Sequence, residues 1–336
     1  MTTITEVALR AGVSMKTVSR VLNGEPHVRA EKIERVEKAV RDLGYRPNLA
    51  ARQLAGKRSH ILVFLFNQVS ATYIMSVLSA AAASCRGNGF HLVSEPVESS
   101  ADASRMIDDI VQLLRPDGFI LSPPLSDDAA LLSSIAATGI PVARIAGTVE
   151  ATGIVVSIDD SAVSQEMTAH LIELGHRRIG FVTTGPQHRV AQGRVSGFRT
   201  AMAEAGIAVD EDLIATGDFS YVSGERAGHA LLDRPSPPTA VFAANDAMAL
   251  GVMSAATILN RRIPEDVAVC GFDDSPISRM IWPPLTTVRQ PIGEMTAVAV
   301  ARLIGNPDPT EKIGHQLLLR RSTTGQGGIV DTAIDA

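Results

Sequence analysis

Two hydrophobic patterns divide this 336-residue chain. They predict a three-helix head with a short fourth helix behind it, then an α/β body of parallel sheets in two lobes. Helical periodicity, with apolar residues three and four apart, fills the N-terminal segment. From residue 60 onward short apolar runs alternate with helix-like stretches, the pattern of parallel strands covered by helices. Charge follows the same division. Residues 1–60 hold 12 Lys and Arg against 6 Asp and Glu, and the remainder 19 against 30, so a net charge of -5 conceals a basic head on an acidic body. Clustered cations favour nucleic acid, because Lys and Arg release counterions from phosphate.

In the head, Thr3 followed by Glu6 fits a capping box that starts a first helix near Ile4 and turns Val7, Ala8 and Ala11 inward. Gly12 ends that helix, and Ser14 is placed to accept from the open N–H groups of a second. There Val18, Val21 and Leu22 fall at i, i+3 and i+4, which leaves Met15, Lys16, Ser19 and Arg20 facing outward. A third helix over about 30–43 carries Ile33, Val36, Val40 and Leu43 on one side and stops at Gly44. Two helices joined by a short turn, the second with an outward basic face, make a helix-turn-helix. Next, Asn48 and Gly56 bracket a helix too short to be stable without a partner.

The body offers the strand candidates ILVFLF, HLVSEPV, GFILSPP and PVARIAG, then RRIGFVTT, DLIATGDF, TAVFAAN and VAVCGFDD. Prolines in PPLTTVRQP exclude a central strand, and a helix over about 292–304 and the strand HQLLLRRST follow. Ligands of parallel α/β folds sit outside the carboxyl ends of strands. Asn245, Asp273 and Phe219 stand at such ends, and Arg194 lies on a helix beginning near Val190. Amide, carboxylate and guanidinium groups suit a polyol, and an aromatic ring packs on a sugar's apolar face. Asn67, Tyr73 and Ser122 are the corresponding polar residues of the first set of strands. Asp246 reads as a helix cap and Asp274 as a loop carboxylate.

Three stretches, ITEVALRAGVSMKTVSRVLNG, LGYRPN and ARQLAGKRS, together resemble the DNA-binding head of the lactose-repressor (LacI/GalR) family of bacterial transcription regulators. The body resembles the regulator-type relatives of periplasmic sugar-binding proteins, so the resemblance covers essentially the whole chain. It implies that the second helix enters the major groove, with Met15, Lys16 and Arg20 at base edges. Thr17, Ser19, Asn23 and Tyr45 are then implied to hold phosphates, which position without specifying. The chemistry of the reading residues agrees: Arg20 can fork onto guanine O6 and N7, Lys16 can reach the same acceptors, and Met15 offers apolar contact. The resemblance also makes 48–56 a hinge helix that Asn48 caps, paired with its copy in a second subunit, and puts Leu54 as a wedge in the minor groove. In the body it implies an effector cleft with Arg194, Phe219, Asn245, Asp273 and Gln290. Where the family's pattern has a ligand-contacting aspartate, this chain has Ala146. Arg144, two residues earlier on the same strand face, is read either as taking over the site, which opens the way to a carboxylate- or phosphate-bearing effector, or as one half of a structural ion pair at the crossover loop.

The expected domains are a head over 1–58 and a body over 59–336, the body in lobes of about 60–157 with 291–316 and about 158–288 with 317–326. Cys85 and Cys270 stand far apart without His partners, which argues against a disulfide framework or zinc site. No signal-peptide pattern, membrane-length apolar run, phosphate loop or Gly-x-Ser-x-Gly elbow is evident. Asp159 with Asp160, and Asp273 with Asp274, are adjacent and make poor catalytic dyads. The tail lacks a leucine heptad, so no tetramer-forming extension is expected. The expectation is a cytoplasmic, non-enzymatic homodimer without cofactor or metal, a repressor binding double-stranded operator DNA. Its effector is expected to be a carbohydrate or sugar derivative that alters the angle between lobes and thereby the pairing of hinge helices. Alternatives are a purine-type corepressor-dependent regulator and, in another class, a sugar-binding receptor or enzyme.

Overall fold

The computed structural model describes residues 2–22, 28–45, 58–68, 70–97, 100–306 and 313–325, with backbone alone at 100–104. Contacts divide the chain into two units, Met1–Ser59 and His60–Ala336.

In the first unit α1 (Ile4–Ala11) opens with a reciprocal cap: Glu6 N–H donates to Thr3 Oγ1 at 3.4 Å, and Thr3 N–H donates to Glu6 Oε2 at 2.9 Å. Gly12 then takes φ 63°, a left-handed turn that lets its N–H reach Leu9 O. Ser14 Oγ accepts the Thr17 N–H at 3.2 Å and starts α2 (Met15–Leu22). Helix α3 (Ala30–Leu43) ends at Gly44. Val7, Ala8, Ala11, Val18, Val36 and Ala39 form the small core, against which Val21, Leu22, Val40 and Leu43 pack. Ile33, read from the sequence as inward, is half-buried and lies outside that cluster.

The second unit begins with β1 (Ile61–Phe66), α4 (Ala71–Gly87), β2 (His91–Pro96), α5 (Ser100–Leu114) and β3 (Gly118–Leu121). It continues through α6 (Ala129–Ala137), β4 (Val142–Ile145) and β5 (Ile154–Val156), giving a parallel sheet of order β2-β1-β3-β4-β5. Strand β5 was not expected: three residues with one side chain open to solvent carry no readable period.

A second parallel sheet, order β7-β6-β8-β9, joins β6 (Ile179–Thr184), β7 (Ile214–Gly217), β8 (Ala240–Ala243) and β9 (Ala268–Cys270). Helix α7 (Asp160–Glu173) leads into β6, and between the strands run α8 (Arg189–Glu204), α9 (Tyr221–Leu232) and α10 (Asp246–Ile258). After α11 (Ile277–Met280), β10 (Thr287–Arg289) pairs antiparallel with β11 (Gln316–Leu318). Helix α12 (Ile292–Ile304), though late in sequence, packs on α4, β4 and β5, whereas α13 (Arg321–Thr324) returns to β9. The chain therefore passes between the lobes three times. One buried apolar cluster runs through both lobes, from Phe64 and Ile120 to Phe181 and Phe242, while a second backs the other face of the first sheet.

Candidate functional site

On the head, Met15 is 52% exposed and Lys16 is also exposed, while Thr17, Ser19 and Arg20 are half-buried. The Thr17 hydroxyl lies 2.9 Å from Ser14 Oγ, and the Tyr45 ring is buried in the core of the head. Asn23, Asn48, Leu54 and the 48–56 hinge lie outside the described residues.

In the body a cavity opens at the carboxyl ends of both sheets. The first lobe supplies Ser70, Tyr73, Ile74, Pro123 and Ala146. The second supplies His188, Val190, Arg194, Phe219, Asn245 and Asp273, and Gln290 enters from the segment after β10. Arg194 extends from α8, buried, with Nε donating to Asp160 Oδ1 at 2.8 Å and Nη1 to Ala244 O at 2.5 Å. Its guanidinium carbon sits 3.6 Å from the centre of the Phe272 ring, so the cation is held by a charge, a carbonyl and a π face together. Gln290 Nε2 donates to Asp273 Oδ1 at 2.6 Å. Burial pushes the Asp273 carboxyl up to about 6, against the pull of Arg194 and Gln290. Burial likewise raises Tyr73, whose hydroxyl has no partner among the described residues, and lowers His188 against the pull of Asp218.

Three residues lining the cavity hold backbone conformations that side chains rarely adopt: Ala146 with φ 51°, Phe219 with φ 68° and Asp273 with φ 115°. Neighbours brace the last two: the Phe219 carbonyl accepts Asn245 Nδ2 at 3.1 Å, and Asp273 N–H donates to Val288 O at 2.8 Å. Strain held in this way at a concave site is a signature of function.

Several expectations change. Arg144 does not take over the cleft: fully buried, it donates Nε to Ser126 O, Nη1 to Ala151 O, and Nη2 to Asp127 Oδ1 and Val149 O. With every guanidinium nitrogen engaged, it fastens the loop after β4, and the argument for an acidic effector goes with it. Asn67 donates to Val97 O and Ser122 is fully buried; neither lines the cavity. Asn245, not Asp246, caps α10, its Oδ1 accepting Met248 N–H at 2.9 Å. Asp246 is instead buried and accepts from Ser275 N–H, Ser275 Oγ and Thr287 Oγ1. Asp274 is no idle loop carboxylate but a hub for Arg279, Arg289 and Arg320.

Sequence reasoning missed Asp160 as the partner of Arg194, together with Ser70, Ile74, Pro123, His188 and Val190. Only His188 carried a usable signal, being a polar ring one residue ahead of the helix that bears Arg194. Among the described residues no helix is long and apolar enough to cross a membrane.

Comparison with known proteins adds to this geometry. The family described as bacterial regulatory proteins, lacI family, matches residues 3–48, and the periplasmic binding protein-like domain matches 168–324. The chain is 33% identical to the transcriptional regulator DegA of Bacillus subtilis over 299 residues, 88% of either chain. It is 35% identical to CelR of Thermobifida fusca over 311 residues, 90% of either. Among solved structures, a CelR–cellobiose complex aligns with TM-score 0.71 and 31% identity over 96% of this chain and 100% of that one. A lac repressor dimer bound to operator and the anti-inducer ONPF aligns with TM-score 0.79 and 29% identity over 96% and 99%.

Proposed function

Because the chain belongs to the lacI family of bacterial regulatory proteins, and so is a DNA-binding transcriptional regulator, we propose that it is a homodimeric repressor whose operator affinity is set by a carbohydrate held between the lobes. One observation carries this reading: a single cavity takes Tyr73 and Ala146 from one lobe and Arg194, Phe219 and Asp273 from the other. A ligand touching both lobes binds one inter-lobe angle better than another, and that difference in affinity is the condition for allosteric control.

The donors and acceptors that remain open define the ligand. Arg194 has Nη2 left after its two bonds, and Asp273 has Oδ2 left after Gln290. A hydroxyl both donates and accepts, so a pair of neighbouring hydroxyls matches a guanidinium edge beside a carboxylate, and Phe219 supplies an apolar platform. Met15, Lys16 and Arg20 read bases, while Thr17, Ser19 and Tyr45, with Asn23 and Asn48, hold the DNA backbone, and Leu54 wedges the minor groove. Tyr73, Asn245 and Gln290 complete the effector site. The protein works in the cytoplasm, where operator DNA is, and its carboxylates serve structure and ligand rather than catalysis.

The second reading is a purine corepressor, supported by the two aromatic rings, Tyr73 and Phe219, that line the same cavity. Thermal denaturation against sugars, sugar acids and purines, followed by fluorescence anisotropy on an operator selected from random sequence, separates the two. A sugar that raises the melting temperature and changes operator affinity supports the proposal. A shift with purines alone selects the second reading, and ligand binding without any effect on operator affinity refutes both.

A further inference from the structure

Two of the passages between the lobes meet in one small ribbon. Strand β10 follows the second sheet and leads into α12 on the first lobe, while β11 brings the chain back to α13 beside β9. The two strands pair antiparallel over three positions, with Arg289 opposite Gln316 at the end where the chain crosses. A two-stranded ribbon this short is marginal by itself. Whatever fastens it therefore bears on the angle between the lobes.

Arg289 supplies that fastening. Its Nη1 donates to Gln316 Oε1 at 3.0 Å, joining the two crossings, and its Nε donates to Asp274 Oδ2 at 2.8 Å in the loop after β9. Asp274 is a fixed post: its carboxylate also accepts Arg320 Nη2 at 2.7 Å and Arg279 Nη2 at 2.5 Å, and Arg320 Nη1 donates in turn to Ser278 Oγ and Leu285 O. Hydrogen bonds with one ionised partner are roughly twice as strong as neutral ones. Burial separates the guanidinium groups, since the Arg320 side chain is 1% exposed and that of Arg289 is 37% exposed. Without Arg289, Asp274 keeps two cations, so the interior post survives the loss of the outer strut. The residue next to Arg289 reaches the effector cavity, where Gln290 Nε2 donates to Asp273 Oδ1 at 2.6 Å. Residues 273 and 274 are thus clasped by 290 and 289, one clasp in the cavity wall and the other outside it.

On the reading that the angle between the lobes sets operator affinity, we propose that Arg289 is a positioning residue for DNA control. It braces the hinge ribbon against the second lobe and so sets that angle in the protein without ligand. A ligand that draws on Asp273 works on one clasp, and the chain Asp274–Arg289–Gln316 carries the displacement to both crossings. Arg289 acts through the ribbon, touching neither DNA nor ligand.

Single-molecule energy transfer reads the angle directly. Dyes are placed on Ser133→Cys of α6 and Thr200→Cys of α8, exposed positions on different lobes, while Cys85 and Cys270 are buried and stay unlabelled. Full-length subunits carrying both dyes are assembled with unlabelled protein in excess, and operator affinity is measured by anisotropy without added ligand. Arg289→Gln and Gln316→Ala, which cut the brace, should change the inter-lobe distance distribution and shift operator affinity by about two- to thirtyfold, both in one direction. Gln316→Glu sets a carboxylate against Arg289 and should move the distribution and the affinity the opposite way. Circular dichroism of each variant reports folding, and the two Gln316 variants, which leave the Asp274 hub intact, carry the test alone if Arg289→Gln unfolds. A wild-type distance distribution in folded Gln316→Ala and Gln316→Glu overturns the brace and leaves the inter-lobe reading standing. Loss of affinity in the same direction in both Gln316 variants marks a merely structural role and overturns the proposal. A changed distribution with unchanged operator affinity overturns the inter-lobe reading, and the part of Arg289 in DNA control with it.

Discussion

Arg144 and Arg194 are both buried guanidinium groups, and what separates them is how many of their nitrogens the protein already uses. In Arg144 all three have carbonyl or carboxylate partners, whereas in Arg194 the Nη2 group is left for a ligand. Removing one partner of a buried ion pair leaves the other charge uncompensated, so Arg144→Ala is expected to destabilise the body by about 3 to 5 kcal/mol. Effector affinity of the folded fraction should be unchanged, which denaturant titration and calorimetry can check together. Asp273 gives a pH signature. Ligand hydroxyls that donate to its carboxylate favour the ionised form, so calorimetric affinity should fall as pH drops through about 6 and stay flat in Asp273→Asn. Without ligand the sign reverses for stability. The folded state holds this proton more tightly than the unfolded chain, so the contribution is full below about pH 4 and lost as pH rises through about 6. On the head, Arg20→Ala should cost operator binding about 1 to 3 kcal/mol and random DNA much less. Equal losses in anisotropy titrations on the two DNAs would reduce Arg20 to a phosphate contact.

At the scale of elements, caps decide where the head's helices begin and end. Its core is small, so a lost cap is a large fraction of its stability. Thr3→Ala removes the hydroxyl that accepts Glu6 N–H and should destabilise the head by about 1 kcal/mol, read as faster amide exchange in α1 with the body's amides unaffected. Gly12→Ala should cost more, because φ 63° disfavours a side chain and the added methyl meets the guanidinium of Arg35, which donates to Gly12 O. Capping box, inward stripe and stop glycine are local, and all three were legible in the sequence. Strand β5 was not, because its place is set by pairing with β4 rather than by its own three residues. Ile33 shows the same limit: a helical stripe marks the face that packs, and only the neighbouring helices decide which end of the stripe is covered.

For the whole molecule, exposed apolar side chains concentrate on one part of the second lobe: Tyr221, Val222, Ile258, Ile277, Met280 and Trp282. A groove there is lined by Tyr221, Leu250, Met253, Ile281 and Trp282, so knob and hole share one face, as a two-fold self-pairing requires. A dimer also matches a helix-turn-helix head that reads one half-site per subunit. Trp282, the chain's single tryptophan, is 73% exposed in one subunit and reports the event directly. Dilution should red-shift its emission as dimers part, and Met280→Lys should shift sedimentation toward the monomer and weaken operator binding without altering the subunit's melting profile. A monomeric wild type at micromolar concentration would remove this face from the assembly.

What the sequence determined by itself was carried by local period and local capping, although it put the cap of α10 at Asp246 rather than Asn245. That includes the three head helices with exposed Met15 and Lys16, the alternation that makes two parallel sheets, and the strand ends where polar residues gather. What only the tertiary structure decided was the partner of each buried charge. Arg194 meets Asp160 across 34 residues, Asp274 meets Arg320 across 46, and Arg144 is drawn by Asp127, 17 residues away, out of the site its strand position suggested. Periodicity tells which face a side chain leaves from. Where a buried guanidinium ends is fixed by whichever carboxylates and carbonyls the fold brings within about 3 Å, because an unpaired charge in the interior is too costly to keep.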